Sequence, residues 1–213
     1  MKNLFNNLMF FAAVGIMASC SQAPAGEEVK TEETKEVKAA DAEAKTLTVD
    51  AAASSMNWEG SKVTGKHSGT VKIKSGTLQV KGTELVGGSF VIDMTSITVT
   101  DLKDKAKADL EGHLKTGDFF EVEKFAEGKF EITGVKAEAG AEGATHVISG
   151  NLTLKDKSHG VSIPATVKIE NGEITATTAQ FTIDRQNWGI KYAGKKDDLI
   201  NDKMGIKLSI KAK

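Results

Sequence analysis

From Thr46 onward apolar residues recur at every second position, and a chain with that period can bury them only as sheet. Val161, Ile163, Ala165, Val167 and Ile169 alternate with Ser162, Pro164, Thr166, Lys168 and Glu170. Ile206, Leu208 and Ile210 do the same, as do Phe90, Ile92 and Met94, then Leu152 and Leu154, then Phe181 and Ile183. Each run has one apolar and one wet face, the mark of antiparallel strands with solvent on one side. Asn171-Gly172, set between Ile169 and Ile174, predicts a two-residue hairpin. Ser75-Gly76 and Lys81-Gly82 are further turn candidates. One-faced strands must cover one another, which a sandwich or a barrel achieves, and a barrel also removes the exposed edges.

One segment breaks the rhythm. Leu102, Ala106, Leu110 and Leu114 recur every four residues, so they share one side of a helix between Asp101 and Gly117. Asp101 is placed to cap its start and Gly117 to end it. Gly112 inside costs about 1 kcal/mol against alanine and predicts a kink or an early stop. Such a helix would plug or cover one opening of the barrel.

Ahead of the strands the chain reads differently. Residues 1–19 have a basic start at Lys2, an apolar run from Leu8 to Met17 and small residues after it, the layout of a signal peptide. "MASC" resembles a bacterial lipobox, with Met17 in place of the commoner leucine. The chain's single cysteine, Cys20, is then the lipidated residue rather than half of a disulfide. Residues 20–45, rich in Glu, Lys and Ala, read as a solvated tether of roughly 25–30 Å reach. Residues 46–213 form the single folded domain. The whole chain's 28 basic and 29 acidic residues nearly cancel, which gives no electrostatic case for nucleic acid.

No catalytic constellation appears. His67, His113, His146 and His159 show no metal-ligand spacing, no serine sits in a nucleophile elbow, and "LVGGSF" enters a strand rather than a phosphate-binding helix. The expectation is no catalytic residue, no metal and no cofactor.

Five phrases occur in order: "WEGSKVTGKHSGTVKIKSGTL" (58–78), "GGSFVIDMTSITVTDL" (87–102), "GHLKTGDFFEVEKFAEGKFEI" (112–132), "GNLTLKDKSHGVSIPATV" (150–167) and "FTIDRQNWGIKY" (181–192). Together they resemble the YceI-like family of secreted bacterial lipid-binding proteins, in its lipoprotein branch. "LKDKSHGV" departs from a more common glycine-bearing turn. The resemblance implies an all-β, extended antiparallel β-barrel of lipocalin-like shape, with one short helix packed over an opening. It also implies an apolar tunnel for a long-chain lipid such as an isoprenoid, and an exported, membrane-anchored protein of the bacterial cell envelope.

On that reading Phe90, Ile92, Met94, Phe181 and Ile183 line the interior, and His113, Phe119 and Arg185 stand where a ligand could reach them. Phe120 and Phe125 would join Phe119 in seating the helix or lining the mouth. His113 and Asp118 either fix the helix or meet the ligand's polar head. Arg185, the only arginine, falls on the inward phase if its strand continues, and a buried guanidinium needs an anion or several carbonyls. Its partner is a ligand's phosphate or carboxylate, Asp93, or backbone carbonyls near Trp188. Trp58 and Trp188 read as wall packing more than as stacking surfaces for ligand. Two rivals remain at this level: an enzyme using His113 or His67 as a base on a lipid head group, and an interaction module whose barrel is filled by its own side chains.

Overall fold

The computed structural model describes residues 22–39 and 41–213. The expected signal peptide and Cys20 lie outside the described residues. In chain order the elements are β1 (Glu27–Glu28), β2 (Lys45–Thr48), β3 (Ser55–Lys62), β4 (Gly65–Lys81), β5 (Glu84–Val99), α1 (Asp104–Leu114), β6 (Glu127–Ala137), β7 (His146–Leu154), β8 (Lys157–Glu170), β9 (Glu173–Thr177), β10 (Phe181–Asp184), β11 (Gly194–Lys195), β12 (Asp198–Leu199) and β13 (Lys203–Ala212). The strands β3 to β9 run as an antiparallel meander, and β13 pairs with β9 on one side and β3 on the other. The sheet therefore closes into an eight-stranded barrel.

The alternation works as expected. Phe90, Ile92, Met94, Leu152, Leu154, Val161, Ile163, Ile206 and Ile210 are all buried, facing one continuous core. Asn171 and Gly172 both take positive φ, 53° and 81°, and turn β8 into β9. Gly82 turns β4 into β5, whereas Ser75-Gly76 lies inside β4 at a break in register. A second break follows Met94: the inward phase of β5 passes from Phe90, Ile92 and Met94 to Ile97 and Val99. The Ser96 side chain fills that break, its hydroxyl donating to Asp93 O at 2.6 Å and accepting from Lys72 N at 2.8 Å. Such bulges bend long strands enough to close a barrel.

The helix is shorter than Asp101–Gly117. Asp101 does not cap it, because its carboxylate is drawn to β4, where Oδ1 accepts from Ser68 N at 2.9 Å and Oδ2 lies 2.8 Å from His67 Nδ1. α1 starts after Lys103 without a side-chain cap, and Lys115 in the right-handed region ends it ahead of Gly117.

The stretch expected to be a free tether is partly docked. β1 pairs in parallel with β10, and Val29 joins the core at 7% exposure. Glu32 N donates to Gly160 O at 2.8 Å, and Gly160 N to Glu32 O at 3.0 Å. Farther along, the Asn151 side chain holds both backbone groups of one residue, Lys35: Lys35 N donates to Oδ1 at 3.0 Å, and Nδ2 donates to Lys35 O at 2.8 Å. The barrel's topology gives the reason. β9 follows β8 only along Thr166–Glu170, and nearer the other end β10 takes the place of β9 beside β13. The strap of residues 24–35 crosses that seam from β10 to β8 and β7, meeting backbone groups that would otherwise be an open edge. Gly160 is fitted to it, since a Cβ there would come within 2.5 Å of Glu33 O. Composition concealed this contact, because the strap buries only Pro24 and Val29 and otherwise docks through backbone groups and a few polar side chains such as Glu28 and Thr31.

Candidate functional site

The turn and strand ends at one end of the barrel carry α1, the β3–β4 turn and the β11–β12 hairpin. Between them lies an open cavity of about 340 Å³, walled by Leu102, Ala106 and Leu110 of the helix side, Trp58 of β3, and Tyr192 and Ile200 of the loop before β13. Trp58, Gly60, Leu114, Phe119 and Ile200 also line a second cavity of about 90 Å³ below it. Deeper along the axis come a cavity of about 20 Å³ bounded by Ile92, Phe130 and Phe181, and one of about 40 Å³ bounded by Leu78, Ile148 and Ile210. Successive cavities share walls: Met56 and Ile206 at one junction, Phe90, Phe130, Ile163 and Leu208 at the next. The interior is thus a file of small apolar spaces leading from a wider mouth, interrupted by side chains. Phe90 and Phe130, with ring centroids 5.4 Å apart, stand between the two deepest cavities.

Met94 and Phe119 line the cavity below the mouth, and Phe90, Ile92 and Phe181 line the deepest two. Ile183 is fully buried in the core. Phe120 stands with Phe119, whereas Phe125 lies away from the cavities with Lys124 Nζ 4.9 Å from its ring centroid. His113 lines the mouth. Its Nε2 is 2.9 Å from Asp118 Oδ2, and its ring meets Phe119 and Tyr192 edge to face at 5.0 Å each. That cluster ties the end of α1 to the loop before β11.

Arg185 corrects one expectation. β10 ends at Asp184, and Arg185 opens a 3₁₀ turn, Arg185–Trp188, instead of continuing the strand. The guanidinium is 2% exposed and held by protein acceptors: Nε to Asn201 O at 3.1 Å, Nη1 to Ile190 O at 2.7 Å, and Nη2 to Ile200 O at 3.4 Å and Asp202 Oδ1 at 2.8 Å. Asp93 is not its partner; that carboxylate points outward and accepts from Thr95. Arg185 borders the cavity below the mouth, yet its fork is already engaged in fixing the loop of residues 190–202. Ile190 O meets the expectation of backbone carbonyls near Trp188, whereas Asp202 and the carbonyls of Ile200 and Asn201 leave no pattern in a sequence. Trp188 is fully buried, its indole N–H donating to Leu152 O at 3.0 Å, and it packs edge to face on His159.

Three of the mouth's basic side chains have a carboxylate partner, while Lys195 forms no ion pair among the described residues. His67 meets Asp101, His113 meets Asp118, and Lys62 binds Asp198, which also accepts from Thr64 N at 3.0 Å and Thr64 Oγ1 at 2.8 Å. The Lys62 ammonium holds the Asp198 carboxyl below its ordinary value, helped by Thr64. Burial alone would raise Asp101, but hydrogen bonds from the Ser68 amide and His67 outweigh it and leave that group lowered too. Both are carboxylates at neutral pH. Two polar atoms have no partner among the described residues: the indole nitrogen of Trp58 and the hydroxyl of Ser61, both shielded from solvent and both on residues that wall the mouth. No three His, Cys, Asp or Glu side chains among the described residues converge as a metal site.

Comparison with known proteins gives the same architecture. The family model described as YceI-like domain matches residues 47–212. Two solved structures share the fold at a TM-score of 0.58. One is BcnA of Burkholderia cenocepacia, 19% identical, covering 78% of this chain and 99% of that one. The other is a polyisoprenoid binding domain from Saccharophagus degradans implicated in plant cell wall breakdown, 15% identical, covering 78% of this chain and 97% of that one. No curated protein sequence matches the chain.

Proposed function

We propose that this chain, which belongs to the family of YceI-like domains, binds a long-chain apolar lipid in its barrel, holding or carrying it without catalysis. The observation that carries the reading is the file of apolar cavities beginning at an open mouth under α1. A relative of the same fold is a polyisoprenoid binding domain, which supports an isoprenoid as the ligand class. Burying such a chain yields roughly 25 cal/mol per Å² of apolar surface before the costs of ordering it.

The inner cavities are small. A void of about 150 Å³ holds one benzene, and drug-sized ligands occupy about 300–1,000 Å³. A lipid therefore enters only if Phe90, Phe130 and their neighbours swing aside and join the spaces. That same smallness favours a second reading, a solid core serving an interaction module. Native mass spectrometry of protein purified from its own cells separates them. A retained long-chain adduct is the expected result; protein that stays bare, and takes up no lipid when offered one, sinks the first reading.

Export and anchoring belong to the same proposal and rest on the sequence before the domain, with Lys2, the run Leu8–Met17 and Cys20 after Ala18-Ser19. Acyl chains on Cys20 would hold the protein to a membrane of the cell envelope. Cys20→Ser is expected to move it from washed membranes to the soluble fraction with its melting temperature unchanged. Continued membrane retention of that variant would rule out the anchor.

A further inference from the structure

Three large hydrophobic side chains among the described residues stand exposed, Val37, Val63 and Leu199, and two of them are neighbours. Lys62 and Ile200 form an antiparallel bridge, flanked by hydrogen bonds from Val63 N to Leu199 O at 3.1 Å and from Asn201 N to Ser61 O at 2.9 Å. Val63 therefore stands opposite Leu199, and their side chains leave the ladder on the same face. Lys62 and Ile200, one step along, point the other way and wall the mouth. The Val63–Leu199 pair thus lies on the outside of the rim, turned from the lumen, and borders none of the cavities described above. At 45% and 50% exposure it is apolar surface used neither by the core nor by the interior of the barrel. Aliphatics exposed singly need no explanation, whereas a facing pair does.

The charge beside the pair is in excess of one sign. The loop that carries Leu199 holds Lys191, Lys195, Lys196, Asp197 and Asp198. Asp198 is spent on Lys62. The three lysines are exposed and form no ion pair among the described residues, which leaves Asp197 as the loop's one uncommitted carboxylate. The whole chain carries a net charge of -1, so this basic excess is local. An apolar tip bordered by lysines matches an anionic bilayer, where aliphatic side chains enter the interface and ammonium groups meet phosphates. A protein partner fits less well, since two aliphatic side chains fall far short of the roughly 800 Å² per partner that a specific interface buries.

We propose that the β3–β4 turn and the β11–β12 hairpin form a docking surface for an anionic lipid bilayer, with Val63 and Leu199 entering the interface and Lys191, Lys195 and Lys196 over the headgroups. The surface lies outside the barrel and does not depend on what the barrel holds; its consequence is to set the mouth against a membrane. The contact is small and screened by salt, so it orients a protein held by other means and does not retain one through a salt wash.

The described fold lies wholly within residues 22–213, so residues 21–213, free of signal and anchor, serve for the test once a cooperative melt shows them folded. The probes are vesicles of phosphatidylcholine alone and of phosphatidylcholine with phosphatidylglycerol in equal parts, read by co-sedimentation at about 20 mM and about 500 mM salt. Binding is expected to the anionic vesicles at low salt, at least about tenfold weaker to the neutral ones, and lost at high salt. Val63→Ser with Leu199→Ser removes the apolar pair, and Lys195→Glu with Lys196→Glu reverses the border; each double variant is expected to weaken binding about tenfold. Lys168→Glu with Lys211→Glu makes the same charge change on exposed residues at the far end of the barrel, and should weaken it by no more than about twofold. Leu199→Cys provides the only thiol in residues 21–213, and a polarity-sensitive dye there should shift to the blue on anionic vesicles, whereas dye on Lys168→Cys should not. Equal losses from the rim and far-end reversals overturn the surface, as does equal binding to both kinds of vesicle or binding to neither. A dimer that the Val63–Leu199 variant dissociates, read by sedimentation velocity, assigns the pair to a second copy of the chain and overturns the membrane. None of these outcomes bears on whether the barrel retains a lipid.

Discussion

At the level of single residues, Arg185 shows how a correct expectation of burial can leave the partner open: of the three candidates, backbone carbonyls near Trp188 are the one met, through Ile190 O. Its inward phase was legible from Phe181 and Ile183, and a buried guanidinium demands acceptors. What the sequence hides is that the strand stops one residue earlier, so the fork turns to Asn201, Ile190, Ile200 and Asp202. The structure makes backbone carbonyls, not the carboxylate, the principal partners, because the Asp202 side chain is 45% exposed against 2% for Arg185. Arg185→Lys keeps the charge but loses the planar fork, and is expected to lower unfolding free energy by about 2–4 kcal/mol. Asp202→Asn should cost less than about 1 kcal/mol, as exposed pairs do. Urea denaturation of both variants checks the order; equal costs would return the carboxylate to the leading role. Cavity walls such as Phe90, Ile92 and Met94 were legible from alternation alone. The orphaned atoms of Trp58 and Ser61 were not, since a missing partner is a property of three dimensions.

Among the elements, the strands and the Asn171-Gly172 hairpin followed from period and turn chemistry, while the limits of α1 did not. Its four-residue apolar recurrence was real, but competition for Asp101 was invisible: the same carboxylate serves either as a helix cap or as a clamp on β4. What holds α1 instead is Glu111, which accepts from Thr98 Oγ1 at 2.5 Å and from Val99 N at 2.8 Å. The Thr98 hydroxyl, then the Val99 amide, hold this carboxyl below its ordinary 4.5. A group lowered in the folded state contributes stability that is present above its unfolded value and is lost as pH falls through the folded one. The helix is accordingly expected to loosen selectively below about pH 4.5, with amide exchange rising in Asp104–Leu114 before it rises in the barrel strands. Glu111→Gln should exchange faster in α1 at neutral pH and lose most of that acid response. Helix exchange that tracks the barrel at every pH would show that Glu111 is not the latch.

Across the whole molecule the barrel was expected and the strap was not. A polar segment rich in Glu and Lys has the composition of a disordered chain, yet Pro24, Val29 and a handful of hydrogen bonds seat it along a seam that no barrel strand fills. Removing residues 22–36 is expected to lower the melting temperature by roughly 5–10 °C, and Val29→Asp by a comparable amount, since a buried Val side chain is worth about 1.5–3 kcal/mol. Limited proteolysis should then cut near β8 and β10 first. A truncated protein that melts with the parent would mean the seam closes unaided. The strap also sets a leash. Pro24 is buried against the barrel beside Gly205, so only four residue steps separate it from Cys20. Four steps of chain reach at most about 14 Å. A lipidated Cys20 would therefore moor the barrel almost at the headgroups. The protein would ride as a hull on the surface, with freedom to yaw but little to rise, and a lipid changing places with the membrane would have a short crossing.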